Sequence, residues 1–308
     1  MSAANLTAGA LQLAAPTLAP LLPGTIQSLK ARLQGRRGAS PLQPYRNLRR
    51  LWRKSTIDPA GTTAVYALAP AVVAGCLALA ILLLPVAGHA PDWGLGHDAL
   101  VLVGLLVLAR FAICAAAWDT ANGFALMGAA RDLMLAVFGE ALLVLTLLLA
   151  AQPAHGTDLL AMSEATSGWG WWSTPAPWCG ALAFALVALV ETGRQPVDNP
   201  DTHLELTMIH EGPLLEYGGR DLAYLVWAAS ARHWVVLVLG ASLLLPHADS
   251  FAGQLGLLAG ELAALCALLA VAETVQAKMR ILRVPALIGL GAVAALAGIG
   301  CAVAGVGA

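Results

Sequence analysis

The chain has 308 residues, of which 59% are hydrophobic and only 11% are charged, and its formal net charge is -1. Such a chain has too few polar side chains to cover a globular surface of this size, so the bilayer must be the solvent for most of it. Because a spanning helix needs about 20 apolar residues and lipid cannot satisfy an open sheet, the predicted fold class is all-α and polytopic. We predict no nucleic-acid partner.

Eight apolar spans are predicted within a single membrane domain, residues 1–308. Their approximate bounds are 5–28, 63–86, 98–119, 132–152, 177–194, 222–245, 253–276 and 284–306. The first span contains Pro16, Pro20 and Pro23, which predict a bent helix. It lacks a basic n-region, so we interpret it as a span and not as a cleaved signal.

The distribution of positive charge predicts the orientation. A basic loop, residues 29–62, holds nine of the 17 Lys and Arg residues. The loops near 87–97, 153–176 and 246–252 contain none. The positive-inside rule therefore predicts cytoplasmic basic loops and external termini.

The basic loop contains a predicted amphipathic helix between residues 42 and 56. Its apolar residues recur at three- and four-residue spacing, with Arg and Lys between them. Two interpretations stay open: adhesion to anionic lipid, or a docking surface for a soluble partner. The candidate docking residues are Arg36, Arg37, Tyr45, Arg49, Arg50 and Arg53.

An acidic loop, residues 191–221, lies between the fifth and sixth spans. Seven carboxylates and two arginines place nine of the chain's 35 charged residues in this region. Apolar residues mixed with the acids favour a folded segment over a solvated loop, with a short helix over 202–211. Glu191 and Arg194 have i, i+3 spacing, which predicts an ion pair. His203 and His210 lack a recognised metal-ligand spacing.

Several ionisable residues fall inside the predicted spans, where each costs about 2.5–3.5 kcal/mol on insertion scales. Two interpretations apply to Glu140, Glu191 and Glu273: ion pairing with Arg110, Arg131, Arg194 or Lys278, or a proton relay. Glu261 has no basic neighbour in sequence, which favours the relay. It lies twelve residues from Glu273, about 18 Å along a helix, so water or other helices would have to bridge them.

No motif in the chain indicates a catalytic centre. The five cysteines are scattered, and no CxxC pair occurs, so disulfide, iron–sulfur and structural zinc interpretations are all weak. No phosphate loop or nucleophile motif is present. We therefore predict a protein that is not catalytic alone and has no metal or cofactor of its own.

The acidic loop carries a resemblance to a known family. The segment ETGRQPVDNPDTHLELTMIHEGPLLEYGGRDLA resembles the signature of the membrane subunit shared by respiratory complex I (the subunit 1 family) and group 4 energy-converting [NiFe]-hydrogenases. The matching residues are Glu191, Thr192, Arg194, Pro196, Asp198, Glu205, Glu216 and Tyr217. The form VDNPDTHLELTMIHE is similar to the hydrogenase-4 and formate hydrogenlyase branch.

Three further stretches extend the resemblance over nearly the whole chain. They are the first basic loop, residues 109–140, and AETVQAKMRILRVP near the final inner loop. Ala130, Asp132 and Ala141 depart from the family pattern, in which Ser, Glu and Pro are usual at these places.

The resemblance implies a membrane anchor and ion-coupling subunit in a bacterial or archaeal inner membrane. Its implied partners are a small iron–sulfur subunit and a large [NiFe] subunit, which carry the clusters and the nickel centre, together with antiporter-like membrane subunits. The implied coupling residues are Glu191, Asp198, Glu205, Glu211 and Glu216 at the junction, Glu140, Glu261 and Glu273 in the membrane, and Arg131 and Arg194 as electrostatic partners.

Three alternatives stay open at this point. The same region forms the mouth of the quinone chamber in complex I, so the chain would then serve a quinone-reducing complex. The acids would otherwise only hold the soluble arm, as a scaffold without an ion path. A stand-alone transporter is disfavoured because no inverted repeat is visible. Protons and sodium are both open as the moving ion.

Overall fold

The computed structural model describes residues 3–86, 88–89, 96–199, 208–245 and 250–305. Over these residues the protein is helical and has no β-strand. Six helices are long and apolar enough to cross a membrane. Side chains such as Leu68, Val137 and Leu268 are 60–67% exposed, as expected of surfaces that face lipid and not water. The predicted all-α polytopic class is confirmed.

Twelve helices follow one another along the described chain. The first six are α1 (Ala3–Leu18), α2 (Leu21–Leu33), α3 (Gln43–Trp52), α4 (Ala64–Leu83), α5 (Ala99–Asp119) and α6 (Gly123–Ala154). The others are α7 (Leu159–Thr166), α8 (Trp169–Trp172), α9 (Ala176–Glu191), α10 (Gly219–Leu244), α11 (Phe251–Val275) and α12 (Val284–Val303). Short 3₁₀ turns occupy Gly212–Leu214 and Ile281–Arg283.

The predicted spans all have helical counterparts, with two differences. The first span is broken into α1 and α2 around Pro20, as its prolines predict. The fourth begins nine residues earlier than predicted, because Asn122 caps α6 and its side chain accepts a hydrogen bond from the Phe124 amide at 2.8 Å. The span near 177–194 is a helix of only 16 residues, so eight crossings stay a prediction.

Contacts between loops define two ends of the helix assembly. At one end, which we call the basic end, the amphipathic helix α3 lies beside the start of α10, with the rings of Trp52 and Tyr224 4.9 Å apart. The acidic loop reaches the same end, where Lys278 donates to Asp198 at 2.7 Å. At the opposite end, the Thr157 hydroxyl donates to Asp98 at 2.9 Å. The membrane side that each end faces stays a prediction.

The packing leaves α11 at the edge of the assembly. Helix α4 packs against α5 and α10, and α12 packs against α6 and α9. Helix α11 contacts α2 and α10, and only 28% of its most apolar stretch is buried. The charged residues described next lie on the sides of α5, α6, α9 and α10 that face one another.

Candidate functional site: a buried charge network beneath the acidic loop

Arg110 on α5 is the centre of a buried group of carboxylates. Its guanidinium donates to both carboxylate oxygens of Glu191, at 3.2 and 3.0 Å. It also donates to Glu140 at 3.1 Å, and its Nε lies 3.7 Å from Asp132. A buried charge needs such partners, because desolvation costs several kcal/mol per ion. One arginine therefore pairs with acids that two other helices, α6 and α9, bring to it.

Glu191 has a second cationic partner. Arg232 on α10 donates to its Oε2 atom at 2.7 Å and to the Leu106 carbonyl at 3.2 Å. The Glu191 side chain is 1% exposed. Helix α9 ends at this residue, and Gly193, with a φ of +61°, turns the chain away. The carboxylate is consequently fixed at the junction between the membrane helices and the acidic loop.

A second buried group surrounds Glu273 on α11. Arg194 donates to its Oε1 atom at 2.7 Å, and Lys30 of α2 lies 3.0 Å from its Oε2 atom. Arg194 also donates through Nε to His233 Nε2 at 3.0 Å. Because the other ring nitrogen of His233 lies 2.8 Å from the Ala229 carbonyl, Nδ1 carries the proton and Nε2 is the acceptor. His233 is therefore neutral in this arrangement.

The described part of the acidic loop is connected to both groups. Asp198 accepts from Lys278 at 2.7 Å, and its Oδ2 atom lies 3.2 Å from His210 Nδ1. The opposite ring nitrogen of His210 lies 3.6 Å from Asp132. Burial alone would raise the pKa of Asp198, but hydrogen bonds and positive charge from His210 and Lys278 lower it well below its usual value. His210 thus stands between two carboxylates.

Two tyrosines attach the end of the acidic loop to the helices. The rings of Tyr66 and Tyr217 stack with centroids 4.3 Å apart. The Tyr66 hydroxyl donates to the Glu216 carbonyl, and the Tyr217 hydroxyl donates to the Tyr66 carbonyl, both at 2.9 Å. The Glu216 side chain accepts from Asn122, the cap of α6. Burial raises the pKa of the Tyr217 hydroxyl above its usual value. Tyr217 therefore acts as a neutral donor.

A cavity of about 330 Å³ opens beside this network. Its lining includes the charged residues Arg110, Arg232 and Asp198 and the apolar residues Val73 and Leu77. Residues of α2 and α3 line its edge, so the amphipathic helix borders the cavity. The described residues contain no group of three His, Cys, Asp or Glu side chains that could hold a metal ion. The site offers carboxylates, imidazoles and guanidiniums next to enclosed space.

The structure brings most of the predicted coupling residues together. Glu140 and Glu191 belong to the first group, Glu273 and Arg194 belong to the second, and Asp198 is linked to the first through His210. Glu211 lies in the cavity lining. Glu216 binds Asn122. Glu261 makes no hydrogen bond or ion pair with another described residue. Glu205, with the acids and His203 around it, lies outside the described residues.

Two predicted contacts differ from those in the structure. Glu191 and Arg194 do not pair, because α9 ends at Glu191 and the turn at Gly193 directs Arg194 toward α11. Instead the two side chains bind different partners on three other helices. Arg131, predicted as an electrostatic partner of the acids, donates to the backbone carbonyl of Met208 at 3.3 Å. It therefore holds the backbone of the acidic loop.

The predicted docking residues are divided between two faces of the basic loop. Arg36, Arg37, Arg49, Arg50 and Arg53 are exposed. Tyr45 instead donates from its hydroxyl to the Thr17 carbonyl at 2.6 Å, so it attaches α3 to α1. The amphipathic helix itself is confirmed, and both interpretations of its exposed arginines stay predictions.

The candidate coupling residues that the sequence indicates do not include Arg110, and they also omit Lys30, Arg232 and His233. Lys30 belongs by sequence to the basic loop, yet it is 6% exposed. The sequence does contain a signal for Arg232 and His233, because they interrupt an otherwise apolar span, where ionisable residues are costly and usually functional. Asp132 stands out in the sequence only as a departure from the family pattern.

The fold and the buried network define a multi-pass all-α membrane protein with charged side chains between its helices. Residues 8–302 match the model of the NADH dehydrogenase family. The chain is 31% identical over 229 residues to hydrogenase-4 component C of Escherichia coli K12, covering 74% of this chain and 71% of that protein. It is 33% identical over 233 residues to formate hydrogenlyase subunit 4 of the same organism, covering 74% of each. The chain therefore belongs to this family.

Two further comparisons reach more distant relatives. An NADH-quinone oxidoreductase subunit of Chlorobium luteolum is 27% identical over 225 residues, which cover 71% of this chain and 60% of that protein. A solved chain from the membrane-bound sulfane sulfur reductase, an archaeal respiratory membrane complex, superposes with a TM-score of 0.82 over 96% of this chain and 100% of that one. Its sequence identity is 18%, so this likeness shows the fold. The predicted family resemblance is confirmed.

Proposed function

We propose that this chain is the membrane subunit that connects a cytoplasmic [NiFe]-hydrogenase-like redox arm to the membrane arm of an energy-converting complex, and that its buried carboxylates couple the two. The relatives support a subunit of this kind, since they are hydrogenase-4 component C, formate hydrogenlyase subunit 4 and a subunit of NADH-quinone oxidoreductase. The implied partners are a small iron–sulfur subunit, a large [NiFe] subunit and antiporter-like membrane subunits.

One observation carries the coupling proposal: titratable groups follow one another from the acidic loop into the membrane helices. His210 lies between Asp198 and Asp132, at 3.2 and 3.6 Å. Asp132 and Glu140 then share Arg110, at 3.7 and 3.1 Å. When the His210 imidazole takes up a proton, the ionised Asp198 stabilises the resulting cation, and Nε2 passes a proton to Asp132. Glu140, which shares Arg110 with Asp132, is the next acceptor. Charge changes in the soluble arm would bias this sequence through the acidic loop.

The test compares two glutamates in the whole complex. Glu140→Gln keeps the side-chain volume and removes the titratable group from the path. Glu164→Gln is the matched control, because Glu164 is exposed on α7 at the opposite end. In proteoliposomes, we expect Glu140→Gln to reduce ion movement per electron at least severalfold while every subunit still co-purifies. Unchanged coupling in an assembled complex would leave a scaffold role and remove the coupling proposal.

The nature of the redox arm is tested separately. Nickel in the co-purifying large subunit is the expected result, and a complex without nickel would overturn the hydrogenase assignment. Repeating the liposome measurement in sodium-free buffer separates protons from sodium as the moving ion.

A quinone chamber is the second candidate, favoured by the mixed lining of this cavity. Apolar side chains, including Val73, Leu77 and Ile113, line the same space of about 330 Å³ as the charged residues, which is the composition of many small-molecule sites. We expect quinone analogues to inhibit such a complex, and Leu77→Phe to weaken that inhibition. A complex whose activity is indifferent to quinone analogues contradicts this second function.

A further inference from the structure

A second cavity, of about 420 Å³, lies between α2, α10 and α11. It shares no lining residue with the charged cavity. Its walls are mostly aliphatic and aromatic, including Leu22, Leu29, Trp234 and Leu262. The Thr25 hydroxyl, which also lines it, is used within its own helix, where it donates to the Leu22 carbonyl at 2.7 Å. The cavity therefore presents an apolar interior.

The cavity is long enough for a hydrocarbon chain. Its lining on α2 runs from Leu21 to Arg32, which is about 16 Å at the rise of an α-helix. On α11 the lining includes Ala259 and Ala263, small side chains that leave the space open. Both alanines are exposed, so the cavity is accessible from the hydrocarbon region of a bilayer.

Arg32 closes the cavity at the basic end. Its side chain is exposed, lines the cavity and makes no ion pair with another described residue. Arg36 and Arg37 follow it at the next turns of the chain. A guanidinium at this level matches a phosphate oxygen in both charge and geometry. An apolar cleft with a cation at its interfacial end is complementary to an amphiphile that has an anionic head.

We propose that this cavity holds one acyl chain of a bilayer phospholipid whose phosphate is bound by Arg32. The bilayer supplies this molecule at every moment, and neither a free phosphate nor a second protein helix matches both the apolar walls and the single interfacial cation. The proposal concerns a ligand that lies outside the charged network, and its test does not depend on the proposed coupling.

The bound lipid has a structural consequence. Helices α2 and α11, which border the cavity, also carry Lys30 and Glu273, and the third wall, α10, carries His233. In the buried group described above, Lys30 lies 3.0 Å from Glu273, and Arg194 contacts Glu273 and His233 at 2.7 and 3.0 Å. Because α11 is otherwise packed only at the edge of the assembly, the acyl chain fills the gap between it and α2. The lipid thereby stabilises the spacing of the helices that hold Glu273.

The test uses native mass spectrometry of the purified complex, with two pairs of matched variants. Ala263→Leu fills the cavity, and Ala264→Leu adds the same atoms at the neighbouring exposed position outside the lining. Arg32→Gln removes the cation, and Arg46→Gln removes an exposed arginine of α3 that lines neither cavity. We expect Ala263→Leu to retain one phospholipid fewer than its control, and Arg32→Gln to lower retention severalfold relative to Arg46→Gln.

A second measurement locates the acyl chain directly. Phospholipids with brominated acyl chains should quench Trp234 fluorescence, taken as the difference between the unmodified protein and Trp234→Phe, and Ala263→Leu should abolish this quenching. Equal lipid counts in Ala263→Leu and Ala264→Leu would overturn the proposal. So would persistent Trp234 quenching in Ala263→Leu, or a complex in which another subunit's helix occupies the cavity.

Discussion

Arg110→Met is the substitution that most directly tests the buried network. Arg110 is 4% exposed and contacts Glu191, Glu140 and Asp132 at 3.0–3.7 Å. Methionine retains much of the apolar stem and removes the charge. Glu191 keeps Arg232 at 2.7 Å, but Glu140 loses the only ion pair that joins it to another described residue. The buried acids around this position are then left with one arginine.

The magnitude follows from the asymmetry of buried ion pairs. Removing one partner of such a pair costs about 3–5 kcal/mol, because the remaining charge is left desolvated. That corresponds to a loss of roughly 100-fold or more in the folding equilibrium. Proton uptake by Glu140 would relieve part of the cost. We therefore expect the stability of Arg110→Met to recover when Glu140→Gln is added, which removes one uncompensated charge.

The assay is unfolding of the full chain in detergent, followed by a dye that reacts with thiols. Cys76, Cys114 and Cys266 are buried and become reactive on unfolding. Arg220→Met is the control, because Arg220 is exposed at the start of α10, and surface changes of this kind stay within about 0.5 kcal/mol. Equal stability of the Arg110 and Arg220 variants would refute the idea that Arg110 neutralises buried acids.

Three further predictions concern the acidic loop. Asp198→Asn should flatten the pH dependence of hydrogen exchange in the loop. The lowered pKa of Asp198 in the folded state gives stability that is present above the unfolded pKa of about 3.9 and is lost as pH falls below it. An equal loss of exchange protection at low pH in the variant would contradict this. Tyr217→Phe keeps the stacking but loses the bond to the Tyr66 carbonyl, so unfolding should show a loss of about 1 kcal/mol, and Tyr217→Ala a larger one; no difference between them would refute a role for the stacked rings. Gly128→Ala should destabilise the protein, because its Cβ would lie 2.7 Å from the backbone of Gly212. Gly104→Ala, with nothing within 4 Å, should stabilise its helix by up to about 1 kcal/mol. A change in unfolding free energy of the same sign for both variants would show that the close approach of Gly128 and Gly212 is unimportant.

The sequence predicts the helices well because each span is a long apolar run in a chain with few polar residues. The prolines near Pro20 indicate the break between α1 and α2. The amphipathic periodicity indicates α3. The predicted start of α6 is too late, since Arg131 and Asp132 resemble a loop boundary; in the fold Asp132 is 5% exposed and lies beside Arg110. A charged residue inside a membrane helix cannot be distinguished from one in a loop until its partners on other helices are known.

The pairing of the charged residues could not be predicted from spacing. Glu191 and Arg194 are close in sequence, and a continuous helix would have joined them. The helix ends between them, and each then finds partners tens of positions away, such as His233 and Glu273 for Arg194. The sequence indicates only that the arginines within the spans have acidic partners, since Arg110 and Arg232 are too costly to bury without them. Which acid each one meets depends on helix packing.

The three carboxylates nearest to Arg110 are unequally suited to move a proton. Glu191 is bound by two guanidiniums and is 1% exposed, so protonating it would leave both cations with less compensation. Glu140 shares only one arginine and its side chain is 19% exposed, while Asp132 adjoins the imidazole of His210 at 3.6 Å. A change of charge costs least where fewer fixed partners oppose it. In the proposed coupling, Glu191 therefore serves as a fixed negative charge that holds Arg110 and Arg232 in place, and Asp132 and Glu140 serve as the groups whose protonation changes.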